Sequence, residues 1–333
     1  MKRMGNLVAC VMLAGVLAAC GGGDGDGGSA LNVSATGSQT QGTSVGAGGS
    51  TTLNVQSSDF IRLQTSQPVR WQAVITSDKT TVTNQVLTET QWSGNLVSPT
   101  GDAITLTATQ VSDPSKVFTL KIAVAPQRYN GVAYKVGEVA TFAETQVRFN
   151  GTTTTENLAY TIASVSNGRA MITSADAITN APDTSYVQDQ DRNRLSRTYT
   201  NGNVCTYSPK RTLYELPLYV GKTWTGAWDY ACQMGYTEKG AVVGKVETYE
   251  SITTPAGTFN ALRLAFTITY TNSNDTQLPN GAAGNATYKE TILGWWAPDL
   301  GRIVKWQSNY SYATGFANPT YMTTYTQTLT SLR

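Results

Sequence analysis

The side chain best suited to proton transfer at neutral pH is missing from this chain, which has no histidine in 333 residues. That excludes Ser-His-Asp and Cys-His mechanisms, together with every His-ligated zinc, copper or haem site. Serine, carboxylates and aromatic rings remain. Gly42-Thr43-Ser44-Val45-Gly46 has the G-x-S-x-G spacing of a nucleophile elbow. It follows no strand signal, however, and no base is available to activate Ser44. No serine stands three residues before a lysine, so a Ser-Lys pair is excluded too. Asp189-Gln190-Asp191-Arg192-Asn193 has the alternating oxygens of a calcium loop. Arg194 stands where such a loop needs glycine and Thr200 where it needs glutamate, and Arg192, Arg194 and Arg197 would repel a cation. The segment reads as a solvated polar loop, and no metal or cofactor is expected. The carboxylates after Pro126 sit in no recognisable catalytic setting, so a His-free carboxylate hydrolase is the most distant reading. The chain is expected not to be an enzyme.

Aromatic rings offer a different chemistry. Trp224, Trp228 and Tyr230 share one parity, and Trp295, Trp296 and Trp306 lie in the same region. Such a row can stack on sugar rings or line a groove for acyl chains. It can equally be core, because aromatic residues favour strands. Trp295 and Trp296 are adjacent and point to opposite faces of an extended chain, so one of them must leave the main core.

These residues need elements to hold them, and the pattern is that of strands. Val69, Trp71, Ala73 and Ile75 alternate with polar neighbours, as do Ile104, Leu106 and Ala108, and Phe118, Leu120, Ile122 and Val124. Further on, Leu262, Leu264, Phe266, Ile268 and Tyr270 share a face, as do Val304, Trp306, Tyr310 and Tyr312. Period two with abundant threonine argues for half-buried antiparallel strands. Turn signals separate them at Ser98-Pro99-Thr100-Gly101-Asp102 and Pro255-Ala256-Gly257. The place least unsuited to a helix is Asp176–Asn180. Composition changes at Pro126: all 17 tyrosines and five of the 7 tryptophans follow it. The expected fold is all-β, with two modules at residues 51–126 and 127–333.

The N-terminus explains the compartment. Lys2 and Arg3 precede an apolar run too short to span a bilayer. The run ends Leu17-Ala18-Ala19-Cys20, which resembles the lipobox of bacterial lipoproteins. The resemblance implies a signal peptide over residues 1–19 and a mature N-terminus at Cys20, whose thiol and amine carry acyl chains such as palmitate. Several chains anchor a soluble domain almost permanently, at about 0.8 kcal/mol per buried methylene. Gly21, where an aspartate would retain the protein at the inner membrane, favours the outer membrane. Residues 20–50 are rich in Gly, Ser and Thr and read as a flexible tether. Of the 4 cysteines, Cys10 leaves with the signal and Cys20 is acylated. Cys205 and Cys232 then form one disulfide in an oxidising compartment.

The segment Ala103–Val124 is similar to the closing hairpin of bacterial Ig-like domains, which implies an Ig-like β-sandwich over residues 51–126. Three later segments, Leu216–Trp224, Thr254–Ala261 and Trp295–Lys305, form an ordered series. This series resembles a module of uncharacterised envelope lipoproteins, which implies a larger antiparallel sheet curled into a half-barrel like LolA and LolB. That family offers no catalytic residues. The formal charge of +2 is supplied by Lys2 and Arg3, so the mature chain is neutral and holds no field for nucleic acid. The expected protein is a lipid-anchored envelope lipoprotein, attached to the outer membrane, with a non-enzymatic module for an apolar or glycan ligand. A structural or adhesive surface protein, with an envelope protein as partner, is the alternative.

Overall fold

The structure is a computed structural model that describes residues 30–36, 43–46, 48–77, 79–273, 286–312 and 321–333. The expected signal peptide and Cys20 lie outside the described residues. Every element among the described residues is a strand, so the expected all-β class holds. Asp176–Asn180 is a turn and not a helix. The Asp176 carboxylate accepts hydrogen bonds from the Ile178 and Thr179 amides and from the Thr179 hydroxyl, which fixes a tight reversal before the next strand.

The first module contains β1 (Ala30–Thr36), β2 (Thr43–Gly46), β3 (Ser50–Val55), β4 (Phe60–Thr65), β5 (Val69–Ile75), β6 (Thr81–Leu87), β7 (Gln91–Val97), β8 (Asp102–Gln110) and β9 (Val117–Val124). They form two sheets, in the orders β2-β1-β4-β7-β6 and β3-β9-β8-β5. Ile61, Leu63, Trp92 and Leu96 of the first sheet pack against Ile104, Leu106, Phe118, Leu120 and Ile122 of the second, as in a β-sandwich. Two expectations are corrected. Part of the span read as tether is strand, since β1 pairs with β4 over Leu31–Thr36 and with β2. In β5 only Val69 is buried, while Ala73 and Ile75 are exposed, because β5 is an edge strand whose far half runs beyond the core.

The second module contains β10 (Val139–Arg148), β11 (Thr153–Ser166), β12 (Arg169–Asp176), β13 (Pro182–Asp189), β14 (Arg194–Thr198), β15 (Val204–Arg211), β16 (Thr223–Cys232), β17 (Thr237–Thr254), β18 (Gly257–Ser273), β19 (Ala286–Ala297), β20 (Arg302–Tyr312) and β21 (Met322–Leu332). Each strand pairs antiparallel with the next, and β21 returns to pair with β10 from Ala140↔Leu332 to Arg148↔Met322. The module is therefore a closed barrel and not the expected half-barrel. Closure satisfies the hydrogen-bonding edges that a curled open sheet would leave bare.

The alternation sorts side chains into an inner and an outer wall. On β16 to β19 the outward positions include Asp229, Lys239, Lys245, Glu247 and Lys289, all exposed. Charges along the middle of the strands place this wall in water, since a lipid-facing barrel carries an apolar band there. Inward, Trp224, Trp228, Val242, Val246, Leu262, Leu264, Phe266 and Ile268 fill one side. Two glycines make this packing possible. The indoles of Trp224 and Trp228 lie flat on Gly244 and Gly240 of the neighbouring strand, where a Cβ would come within 2.3 Å and 2.2 Å of the rings. Cys205 and Cys232 stand opposite each other on β15 and β16 and are joined by a disulfide.

One end of the barrel is plugged. The β15–β16 connection, residues 212–222, tucks Leu213, Tyr214 and Leu218 against the inward aromatic residues. Buried Asn193 holds it by accepting from the Leu213 and Tyr214 amides at 2.8 and 3.0 Å and donating to the Tyr214 carbonyl at 2.9 Å. A two-way bridge between Tyr129 and Leu218 ties the plug to the chain that enters the barrel. Gly240→Ala and Gly244→Ala are each expected to lower stability by about 1–3 kcal/mol, as overpacked cores do. Urea unfolding checks this, and an unchanged midpoint for both variants would show that the indoles have room to move.

Candidate functional site

Twelve strands enclose more space than apolar side chains fill here, and a cavity of about 930 Å³ remains inside the barrel. It runs from the plug, at Leu213 and Tyr214, to the opposite end, where Tyr199, Asn203, Tyr236, Tyr312 and Tyr321 are half-buried. The plug floors one end of the cavity, and these tyrosines line the other.

The expected aromatic row divides. Trp224 and Trp228 are core, at 4% and 2% exposure, and do not line the cavity. Tyr230, Trp296 and Trp306 do line it. Trp295 and Trp296 face opposite ways, as two adjacent extended residues must. Trp295 leaves the main core for a small cluster with Val304 and Leu329, where its indole donates to Glu250 at 2.7 Å. Val304 was expected on the face of Trp306. A register shift opposite Trp295/Trp296 instead turns Ile303 to the cavity and Val304 to the outer cluster.

The lining is dominated by tyrosine, arginine and carboxylate. Tyr270, Tyr288, Tyr312 and Tyr321 form a stack across successive strands, with ring centroids 4.6, 5.4 and 5.1 Å apart and planes within 20–24°. Each such contact contributes about 0.5–1.5 kcal/mol beyond burial. Because the faces lie against one another, the stack presents edges and hydroxyls.

Two of these hydroxyls, and those of other lining tyrosines, serve the carboxylates. Glu144 accepts from Tyr160 at 2.6 Å, Tyr325 at 2.7 Å and Gln327 at 2.8 Å. Glu290 accepts from Tyr270 at 2.8 Å, Ser308 at 2.7 Å and Tyr310 at 2.9 Å. Glu238 accepts from Tyr236 at 3.0 Å and Tyr288 at 2.9 Å. Burial raises the Glu238 carboxyl above its ordinary range, against the opposing effect of these two hydroxyls and of Arg211. Burial also raises Tyr270, Tyr288 and Tyr312 of the stack, and pushes Tyr214 up to about 12. These phenols stay protonated and donate at neutral pH.

Four of the five lining arginines come from one side, at β13–β15, while Arg302 on β20 lines the cavity paired with Glu138. Arg194 lies over the Tyr186 ring at 4.2 Å, Arg197 over Tyr199 at 4.3 Å and Arg192 over Tyr134 at 4.5 Å. Arg211 donates to the Tyr270 hydroxyl at 2.9 Å and lies over Trp228. The loop with calcium spacing is the β13–β14 turn. Its Asp189 accepts from the Asp191 and Asn193 amides and pairs with Lys210. No metal-holding cluster occurs among the described residues. Ser44 sits on β2, far in sequence from the barrel.

The arginines were not recognised from the sequence as lining a cavity. The cause is a bulge: Gln188 pairs with Arg194 but Val187 pairs with Ser196. This brings both Arg194 and Arg197 to the lumen, although an odd spacing would put them on opposite faces.

No family model matches the chain, and no curated protein does. Three solved structures are similar in backbone. A protein from Bacteroides fragilis, described as exported and of YmcC-like fold, is 15% identical, covering 62% of this chain and 99% of the other with a TM-score of 0.37. One from Parabacteroides distasonis, described as a lipoprotein, is 13% identical over 62% and 100%, with a TM-score of 0.34. The hypothetical lipoprotein YmcC from Escherichia coli is 10% identical over 60% and 89%, with a TM-score of 0.32. No residue and no role is taken from them.

The raised Glu238 carboxyl makes a signed prediction. An acid whose folded-state pKa is raised stabilises the fold when protonated and loses that contribution as pH rises through it. A glutamine amide at this position would accept the same two hydroxyls without a charge. Glu238→Gln is therefore expected to raise Tm at pH 7. The gain should vanish as pH falls toward 4. Thermal unfolding across pH checks it, and a lower Tm at pH 7 would contradict the assignment.

Proposed function

We propose that this protein is an envelope lipoprotein, anchored at the outer membrane through Cys20, whose barrel is a non-enzymatic receptor for a polar, hydroxyl-rich ligand of glycan type. The observation that carries the receptor reading is the cavity of about 930 Å³ inside the barrel, floored at one end by the plug, within the range of ligand sites. Its lining favours a glycan over an acyl chain. An apolar ligand would displace water from guanidinium, carboxylate and phenol groups and return no hydrogen bond, at a cost of roughly 1–3 kcal/mol for each neutral group and more for charged ones. A polyhydroxylated ligand returns those bonds. The same carboxylates argue for binding without turnover: Glu144, Glu238 and Glu290 are engaged by two or three donors each, which positions them as scaffold. The lipid anchor rests on the Leu17–Cys20 sequence.

Binding of the lipid-free protein to a glycan array tests the receptor. Saturable binding is expected, and Gln146→Trp, at a half-buried position in the lining, should weaken it at least tenfold with Tm little changed. Absence of saturable binding to any glycan, or indifference to the Trp, would remove the reading. The anchor is tested separately. Cys20→Ser is expected to abolish incorporation of labelled palmitate and to release the protein from the membrane fraction; undiminished labelling would disprove attachment at that residue.

A further inference from the structure

The inner wall is unequal in its hydrogen bonding. The carboxylates have relieved their charge. Glu144, Glu238 and Glu290 accept from phenols, and Asp183 accepts from Ser174 and Thr184. Glu156, opposite Glu144 in register, is raised by burial and by the neighbouring Glu144, Asp183 and Asp176, so it can take up a proton instead. A guanidinium has no such escape, because it stays charged and offers five donors.

Apart from Arg302, which pairs with Glu138, the lining arginines have almost no acceptors. Among the described residues, the side chains of Arg192, Arg194 and Arg197 take part in no hydrogen bond or ion pair, and the buried Nε atoms of Arg192 and Arg197 have no partner. Arg211 makes a single bond, to the neutral Tyr270 hydroxyl. Tyrosine faces hold these groups in place without occupying their donors. Arg194 and Arg211 are moreover paired directly across β14 and β15, a cross-strand position where like charges are destabilising. An arrangement that gathers unpaired cations in a cavity, held by rings that leave the forks open, is complementary to something absent from the chain.

We propose that the ligand carries an oxyanion, a carboxylate, phosphate or sulfate, received by Arg194, Arg197 and Arg211 from the β14–β15 wall. This rests on reading the barrel as a receptor, and it names the substituent that a neutral glycan would lack. The ion supplies the acceptors the wall is missing: two parallel bonds to each fork it meets, and relief of the Arg194–Arg211 repulsion. Arg192, nearer the plug over Tyr134, extends the same donors toward the closed end.

The test uses calorimetry at constant ionic strength with two kinds of probe, inorganic phosphate and an oligogalacturonate compared with its neutral methyl ester. Saturable phosphate binding is expected in the wild type. It should weaken at least tenfold in Arg194→Gln/Arg197→Gln, and less in the double Lys variant, which keeps charge but loses the fork. The acidic sugar should bind at least tenfold better than its ester in the wild type and equally in the Gln variant. Unliganded Tm gives a readout that a structural role would reverse: removing unpaired cations should leave it unchanged or higher. If sugar and ester bind alike and the Gln variant matches the wild type, the oxyanion proposal falls and the receptor stands. Phosphate binding without either sugar supports the oxyanion and removes the glycan. No binding of any probe, or a lowered Tm with unchanged binding, overturns the proposal.

Discussion

The pairing of β10 with β21 is the contact on which the barrel depends. Without it the sheet would present two bare edges at Val139–Arg148 and Met322–Leu332, and its inner face would be a groove. With it, nine register pairs close the ring, and inward side chains face one another across an enclosed space. The wall's chemistry then follows from geometry. Twelve strands make a ring wider than eight, the number whose interior side chains just fill it. Here the β16–β18 side is filled by indoles lying on Gly240 and Gly244. The opposite side is left with room, and long polar residues reach into it.

A charged group facing such a space must be hydrogen-bonded or paired, because desolvation costs more than a single contact returns. The tyrosines meet this requirement for the acids. In the stack from Tyr270 to Tyr321 each ring lies against the next, while Tyr270 and Tyr288 also set their hydroxyls on Glu290 and Glu238 and Tyr312 sets its hydroxyl on the Met322 carbonyl. The concentration of tyrosine after residue 126 has this physical use. Tyrosine's donor does nothing comparable for arginine. A guanidinium needs an acceptor, and the ring offers it only a π face. The two kinds of charge therefore end in different states within one cavity.

Much of the framework was legible in local pattern. Leu262 to Tyr270 alternate as a strand and do face inward, and Cys205 pairs with Cys232 as elimination of the other two cysteines implied. Adjacent Trp295 and Trp296 separate to opposite faces because extended geometry leaves no other choice. What was not legible involved distance along the chain or a break in period. Closure joins Ala140 to Leu332, a pairing that no local signal encodes. The strands at Ala30–Thr36 and Thr43–Gly46 lie in a Gly- and Ser-rich stretch where composition outweighs two short apolar alternations. At Arg194 and Arg197 the period itself fails: one bulged residue reverses the parity, so the arginines that seemed to mark a solvated loop line the cavity instead.

The plug decides how such a cavity can work. A barrel open at both ends would leave its unpaired cations lining a through-passage filled with water. Here residues 212–222 cross one end, fixed by three hydrogen bonds to Asn193, whose side chain is 1% exposed. Asn193 belongs to the same turn as Arg192 and directly precedes Arg194. The residue that seats the plug and the residues that line the cavity are thus consecutive in the chain. A shift of that turn would move the floor and the basic wall together. The floor is also continuous with the Trp224 and Phe266 core through Tyr214, which resists such a shift. The geometry is that of a cavity on a fixed floor, with its donors held in place by ring packing, and preorganisation of this kind favours affinity by leaving little ordering to be done on binding.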